Sequence, residues 1–152
     1  MRGRLSAHAA SLMLITILGS AQAAEAQDFV TRNSMNRDEI VAAFVDRQLS
    51  GVYPSGLPWS ELIRSDGTSD YREGERRREG RWWMRDHNFC FSYALPMSGG
   101  CFRVVRIGSN CYELYAVNPG DRPAPAPSTE EQWNGRMWRD DVPPTCEERP
   151  TS

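Results

Sequence analysis

The stretch WSELIRSDGTSDYR, residues 59–72, carries the pattern that decides the fold. Two short runs, residues 59–64 and 68–72, flank Ser65-Asp66-Gly67. An Asp-Gly pair between two such runs is the strongest short-range signal for a β-hairpin. A two-residue turn at this pair places Leu62 opposite Tyr71. The sequence therefore predicts an antiparallel hairpin at this point of the chain.

Four more short apolar runs follow the hairpin, separated by Gly, Pro, Asp and Asn residues: 81–84, 89–93, 102–107 and 112–117. Short strands at regular spacing are typical of an antiparallel meander. We therefore predict about six strands. Because open sheet edges invite aggregation, such a sheet either curls into a small barrel or packs one face on a helix.

One amphipathic helix is predicted before the strands, over residues 37–49. Asn36 and Glu39 have the spacing of a capping box, apolar residues then recur at helical spacing, and Gly51 is a natural stop. The helix has a single apolar stripe, and the sheet is its only candidate partner. The predicted fold class is therefore α+β, with this helix packed on the meander over residues 36–117.

Residues 1–23 have the three parts of an export signal. Two arginines precede a short apolar run, and Ala21-Gln22-Ala23 is a cleavage site. The apolar run is about half of the roughly 20 residues that a spanning helix needs, so no stable membrane anchor is expected after cleavage. Cleavage leaves 129 residues with a formal charge of −4, beginning with a flexible N-terminus at 24–35. We expect the mature protein in the periplasm or outside the cell.

The four cysteines, Cys90, Cys101, Cys111 and Cys146, all lie downstream of this signal and are expected to be oxidised. Four cysteines allow three pairings, and the sequence does not choose among them. We favour Cys90 with Cys101 and Cys111 with Cys146, because the C-terminal tail has no other attachment. A tight hairpin at 97–98 would set Cys90 opposite about residue 105, so the first bridge requires a wide loop.

The tail, residues 118–152, is rich in proline and contains Pro-Ala-Pro-Ala-Pro. This composition predicts an extended connector. Ser128 and Glu131 then have the spacing of a second capping box, which predicts a short helix near 129–137. Cys146 ties the tail back to the core.

Motifs for catalysis or for a cofactor are missing from the sequence, which has no G-x-S-x-G, no H-E-x-x-H and no Gly-rich phosphate loop. His87 is the only histidine of the mature chain, and its Asp-His-Asn setting is typical of a capping or solvated residue. The cysteines have no C-x-x-C spacing, which disfavours zinc. We predict no catalytic residue, no cofactor and no metal.

Two carboxylates offer an alternative. Glu61 and Asp70 fall on adjacent predicted strands, and two acids about 5 to 9 Å apart are the minimal apparatus for glycoside hydrolysis. Polar residues on the solvent-facing side of an antiparallel sheet produce the same pattern. A carboxylate-based glycan hydrolase therefore stays a second hypothesis.

An arginine-rich segment, residues 72–81, precedes Trp82 and Trp83 and has the composition of an anion-binding loop with a stacking platform. Three of its ten residues are acidic, which favours a solvated loop between strands. Strand alternation turns one of the two tryptophans inward. The outward one, with Trp133 and Trp138, is the candidate contact surface.

The order of these elements resembles a known group of proteins. The residues that carry the resemblance are the helix ending in Leu49-Ser50-Gly51, the hairpin at 65–71, Glu79-Gly80-Arg81-Trp82-Trp83, Phe89-Cys90-Phe91 and the segment from Gly100 to Val104. This pattern is similar to small exported proteins of alphaproteobacteria grouped as domains of unknown function, the rhizobial family numbered 995 and its relatives. The resemblance covers residues 36–117 and implies a periplasmic, non-enzymatic, β-rich domain. Cys111 and Cys146 are not among the residues that carry the resemblance.

These observations lead to one main hypothesis for function, an exported and non-enzymatic binding module of the cell envelope. Its expected partner is an envelope protein or a glycan, and not nucleic acid. An inhibitor of an external hydrolase is a further alternative, because a rigid cross-linked scaffold loses little entropy on docking. That alternative requires a protruding Gly-rich loop, for which residues 96–100 are the candidate.

Overall fold

Eight antiparallel strands follow one another around a closed barrel in chain order, and the last strand pairs with the first. The computed structural model describes residues 33–95, 99–117 and 133–146. The elements are α1 (Arg37–Phe44), β1 (Arg47–Val52), β2 (Pro58–Ile63), β3 (Thr68–Glu73), β4 (Arg76–Arg85), β5 (Asn88–Tyr93), β6 (Gly99–Gly108), β7 (Cys111–Val117) and β8 (Gly135–Arg139). The predicted export signal lies outside the described residues, as does most of the predicted flexible N-terminus.

The antiparallel meander is confirmed, but it has eight strands where about six were predicted. The six predicted strands correspond to β2 through β7. The two additional strands are β1, whose first three residues fall in the predicted helix, and β8, which falls in the predicted tail. The molecule is therefore mostly β, with one short helix.

The helix begins as predicted and ends earlier. Asn36 Oδ1 accepts from the backbone N–H of Glu39 (3.0 Å), and Glu39 Oε2 accepts from that of Asn36 (2.8 Å), which completes the capping box. The helix ends at Phe44, because Val45 is extended and Asp46 has a φ of 58° that redirects the chain. The predicted extension to residue 49 is therefore wrong.

Helix α1 covers one end of the barrel, where β1, β5 and β7 begin. The buried Phe44 ring contacts Phe89 with centroids 5.9 Å apart and Tyr112 with centroids 4.9 Å apart. Ile40 is buried beside it. The opposite end of the barrel, where β2, β4, β6 and β8 begin, contains the polar residues described below.

The hairpin of β2 and β3 has a different register from the predicted one. Its loop contains three residues, Ser65-Asp66-Gly67, and Gly67 has a φ of 82°. Leu62 therefore lies opposite Asp70, and Tyr71 lies opposite Glu61. Because a shift of one residue exchanges the two faces of a strand, this loop decides which of these side chains enters the barrel.

Strand β8 closes the barrel by pairing with both β7 and β1. The short helix predicted near 129–137 is wrong over residues 135–137, which belong to this strand; residues 118–132 lie outside the described part of the chain. Asn110 holds the segment after β8. Its Oδ1 accepts from the backbone N–H of Arg139 (3.0 Å), and its Nδ2 donates to the carbonyls of Arg139 and Val142 (2.9 Å each).

Both favoured disulfides are present, Cys90–Cys101 and Cys111–Cys146. Cys90 lies directly opposite Cys101 in the ladder of β5 and β6, because the last paired residues are Ser92 and Gly99, with six residues of sequence between them. The second bridge attaches the described end of the tail to the start of β7. Within the described ranges, no helix is long and apolar enough to cross a membrane.

Candidate functional site

Six polar or aromatic side chains meet inside the barrel at the end opposite α1: Tyr53, Trp59, Glu61, Tyr71, Glu73 and Tyr93. We call them the mouth cluster. Alternation along β2 and β3 turns Trp59, Glu61, Tyr71 and Glu73 to the same side as the buried Ile63. Tyr53 follows β1, and Tyr93 ends β5.

Hydrogen bonds connect the cluster in two groups. The Tyr93 hydroxyl donates to Glu61 Oε1 (2.7 Å). The Tyr71 hydroxyl donates to Glu73 Oε2 (2.9 Å) and lies 2.7 Å from the Tyr53 hydroxyl, which completes the second group. Within the mouth cluster, each of the two carboxylates therefore accepts a hydrogen bond from a tyrosine hydroxyl.

The aromatic rings form a continuous row. Trp59 and Tyr71 are stacked with centroids 6.3 Å apart, and Tyr71 and Tyr93 are 5.4 Å apart. Tyr53 lies 6.2 Å from Trp59 at the other end of the row. These separations are typical of interacting aromatic pairs, so the row forms one wall of rings beside Glu61.

Gly51 makes room for the Trp59 indole. A Cβ at Gly51 would lie 2.3 Å from the ring, whereas one at Gly135 would lie 3.8 Å from it, at ordinary van der Waals contact. The indole of β2 therefore crosses β1 and reaches β8. A side chain at Gly51 would have to displace it.

Glu61 is buried without a cationic partner. Glu61 is 3% exposed, and none of the described residues forms an ion pair with its carboxylate. Burial raises the pKa of Glu61 from 4.5 to about 7, against the lowering effect of hydrogen bonding from Ser69 and Tyr93. Charge repulsion from Asp70 adds a smaller increase.

A second buried glutamate shows how this fold compensates such a charge. Glu113 is fully buried on β7, and Arg136 donates to its Oε1 from Nη2 (2.7 Å) and from Nε (3.2 Å). The Tyr115 hydroxyl donates to the other oxygen (2.7 Å). Like Glu113, Glu61 accepts a hydrogen bond from a tyrosine hydroxyl. Unlike Glu113, it has no arginine paired with it among the described residues.

Two further polar atoms of this region have unused hydrogen-bonding capacity. Trp59 Nε1 and Ser69 Oγ are buried and have no hydrogen-bond partner of normal geometry among the described residues. Ser69 Oγ nevertheless lies close enough to Glu61 to lower the pKa of that carboxyl. Buried polar groups are normally paired, so the Trp59 indole N–H, which lies next to Gly135 on β8, is the unsatisfied donor of this region.

The tyrosines of the cluster remain protonated donors. Burial is the main cause that raises the pKa of Tyr71 and of Tyr93, and hydrogen bonds to Glu73 and to Glu61, respectively, raise them further. Their hydroxyls therefore act as hydrogen-bond donors to carboxylates and not as bases.

Glu61 and Asp70 do not form one site, because they lie on opposite faces of the barrel wall. Glu61 points inward, whereas Asp70 pairs with Arg77 on the outside, where Arg77 Nε donates to Asp70 Oδ1 (2.8 Å) and Arg77 Nη2 contacts Oδ2. This hydrogen bonding is the main cause that lowers the pKa of Asp70. The geometry does not support the paired-acid hypothesis.

The arginine-rich segment 72–81 was predicted as a solvated loop and is instead a hairpin. Glu73 pairs with Arg76 across a two-residue turn in which Gly74 has a φ of 58°. On the outer face, Arg64 and Arg81 line a shallow depression of about 380 Å³ together with Glu79. Hydrogen bonds from Thr68 are the main cause that lowers the pKa of Asp66, and the charges of Arg64 and Arg81 lower it further, so acidic residues balance the basic ones here.

The four candidate contact tryptophans do not form one surface. Trp82 points inward and donates to the carbonyl of Arg64 (2.7 Å), whereas Trp83 is 43% exposed, which confirms that only one of the two turns inward. Trp138 lies on β8 and Trp83 on β4, four strands away around the barrel. Trp133 lies under the Arg136 guanidinium, 4.7 Å from ring centroid to Cζ.

His87 and the acids offer no metal centre in the structure as described. His87 Nδ1 accepts from the backbone N–H of Arg37 (3.4 Å) at the start of α1. Across residues 33–95, 99–117 and 133–146, no group of three or more His, Cys, Asp or Glu side chains is arranged to hold a metal ion.

The mouth cluster was not predicted as a site. The signal was present in Trp59-Ser60-Glu61-Leu62-Ile63, where the alternation sets a carboxylate on the face of Trp59 and Ile63. The tyrosines that surround it come from β3 and β5 and from the end of β1, so only the closed barrel brings them together. Comparison with protein-family models and with curated proteins found no match to this chain.

Proposed function

We propose that the chain is an exported, non-enzymatic binding module whose ligand binds at the mouth cluster. The observation that carries this proposal is the buried Glu61 carboxylate, which forms no ion pair with any described residue and lies beside a row of aromatic rings. Ligand sites are mostly apolar or aromatic with a few convergent polar groups, and the mouth of a β-barrel is a common place for them. A core that served stability alone would not keep such groups.

Export is part of the proposal. The two disulfides are the kind of cross-link that forms outside the cytoplasm. Together with the predicted signal at 1–23, they favour the periplasm or the cell exterior. We also retain the proposed relationship to the rhizobial family numbered 995, for which the hairpin and the Cys90–Cys101 pair are the supporting elements.

The other two hypotheses have less support from the geometry. The hydrolase requires Glu61 and Asp70 on one face. The inhibitor requires a protruding loop at 96–100, but Gly99 and Gly100 belong to β6, and residues 96–98 lie outside the described part of the chain. Binding at the mouth cluster is therefore the better supported function.

The test uses the oxidised mature protein, residues 24–152, and three aromatic probes of different charge: benzylamine, benzyl alcohol and benzoate. We expect at least one probe to shift the NMR signal of the Trp59 indole N–H, which the loss of one signal in a Trp59→Phe variant identifies. Trp83 is the internal control, because it is exposed on the outer face. Equal shifts at both tryptophans, or no shift with any probe, would overturn the proposal.

A further inference from the structure

We propose that the group bound at the mouth cluster is an organic cation, an ammonium or a guanidinium, with Glu61 as its counter-ion and the faces of Trp59, Tyr71 and Tyr93 around it. This inference rests on the proposed function and adds the chemical class of the ligand.

The charge inside the barrel favours a cation. Glu61 and Glu73 both belong to the mouth cluster, and in the described part of the chain the one basic group paired with either of them is Arg76, whose Nη1 lies 3.8 Å from Glu73 Oε1 at the exposed rim. Nothing positive among the described residues reaches Glu61. An anionic ligand would meet two carboxylates, whereas a cation supplies the charge that Arg136 supplies to Glu113.

The row of aromatic rings also favours a cation. Trp59, Tyr71 and Tyr93 lie within 6.3 Å of their neighbours in the row. The faces of such rings attract a cation through their quadrupole, and more strongly where the cation is desolvated. An acid beside a wall of rings is therefore a suitable environment for an ammonium group and a poor one for a carboxylate or phosphate.

Hydrogen bonds to Glu61 come from neutral donors. Tyr93 donates to Oε1, and the Ser69 hydroxyl is close enough to lower the pKa of the carboxyl. An ammonium group offers three charged donors and no acceptor. A cation therefore supplies the charge that these donors lack, whereas a neutral ligand leaves the charge of Glu61 uncompensated.

The proposal also predicts a coupling to protons. The groups around Glu61 are Ser69 and Tyr71 on β3, Tyr93 at the end of β5 and Tyr53 after β1, with Asp70 on the other face of β3 acting through the barrel wall. The phenols stay protonated, so Glu61 is the group that titrates near neutral pH. A cation binds its ionised form, and benzylamine affinity should therefore rise about tenfold from pH 6 to pH 8.

The decisive experiment measures the affinity of benzylamine, benzyl alcohol and benzoate for the wild type, Glu61→Gln and Glu79→Gln. Glu79 is the matched control, because it is an exposed glutamate on the outer face of the same barrel. We expect benzylamine to bind at least tenfold more tightly than the other two probes. Glu61→Gln should remove this preference, and Glu79→Gln should preserve it.

Calorimetry in two buffers of different ionisation enthalpy provides a readout that does not depend on a variant. Near pH 6.5, wild-type protein should release a proton on binding benzylamine and none on binding benzyl alcohol. This measurement keeps the inference testable if Glu61→Gln does not fold.

The outcomes separate the two proposals. Preferential binding of benzyl alcohol or benzoate at the Trp59 indole would overturn the cationic class and leave the binding function intact. Benzylamine binding without proton release and without loss in Glu61→Gln would also overturn the class. No binding of any probe would overturn both proposals.

Discussion

At the scale of single residues, Glu61 determines how stability depends on pH. Its folded-state pKa of about 7 exceeds the ordinary value of 4.5, because burial disfavours the charged form. A group whose pKa is raised by folding stabilises the protein below its unfolded pKa, and this contribution is lost as the pH rises through the folded pKa. The relevant window is therefore pH 5 to 8.

We predict that the unfolding free energy of the wild type falls by about 2 to 3 kcal/mol between pH 5 and pH 8 through this one group. In Glu61→Gln the decrease should disappear, because the amide cannot ionise and its oxygen can still accept from Tyr93. Urea unfolding at each pH measures the difference. Glu79→Gln is the control and should keep the wild-type slope; a slope unchanged in Glu61→Gln would contradict the prediction.

At the scale of elements, the strands of the central hairpin could be predicted and its register could not. Alternation and the Asp-Gly pair indicate two strands, but Ser65-Asp66-Gly67 is compatible with a two-residue turn as well as with the observed three-residue loop. The two differ by one residue in register. In the predicted register Asp70 faces Ile63 and shares the inner face with Glu61, whereas in the observed one it pairs with arginines outside.

The predicted helix is too long because its apolar spacing continues into the next strand. Ile40, Phe44 and Leu49 all become buried, so their helical spacing correctly marks core residues. The chain nevertheless reverses at Asp46, and Leu49 enters the core from β1. Because β1 is stabilised by pairing with β2 and with the distant β8, its own sequence does not indicate a strand.

The turn between β6 and β7 holds the segment after β8 through one side chain, and this gives a second prediction. Replacing Asn110 with Ala removes the bonds to the backbone of Arg139 and Val142 and leaves buried polar groups without partners. We expect a loss of about 2 to 3 kcal/mol in unfolding free energy, measured by urea unfolding.

Ser109→Ala is the matched control for this prediction. Ser109 is exposed and makes one long contact to Thr145 (3.4 Å), so its replacement should change stability by about 0.5 kcal/mol or less. Similar losses in the two variants would show that Asn110 does not hold the segment.

At the scale of the whole molecule, closure of the barrel depends on a strand that follows a long connection. The sequence predicted that Cys146 attaches the tail to the fold, and that pairing is confirmed. It did not predict that the tail contains β8, because Gly135–Arg139 is short and gains its stability from β7 and β1. The mouth cluster was missed for the same reason, since its members meet only when the barrel is closed.

The two disulfides should therefore differ in what their removal does. In the chain-entropy description, the bridge that spans 11 residues contributes about 3 kcal/mol and the one that spans 35 contributes about 4 kcal/mol. We predict that the double variant Cys111→Ser/Cys146→Ser is the less stable by about 1 kcal/mol. Urea unfolding of both double variants under identical conditions measures the difference.

Loss of the longer bridge should also act locally. Cys146 follows β8 and holds it against the start of β7, so Cys111→Ser/Cys146→Ser should accelerate amide hydrogen exchange in β8 and in its partner β1 more than in β4. Cys90→Ser/Cys101→Ser should instead act on β5 and β6, which its bridge joins. If exchange rose uniformly in all strands of both variants, the disulfides would stabilise the barrel as a whole, and β8 would hold its place by pairing alone.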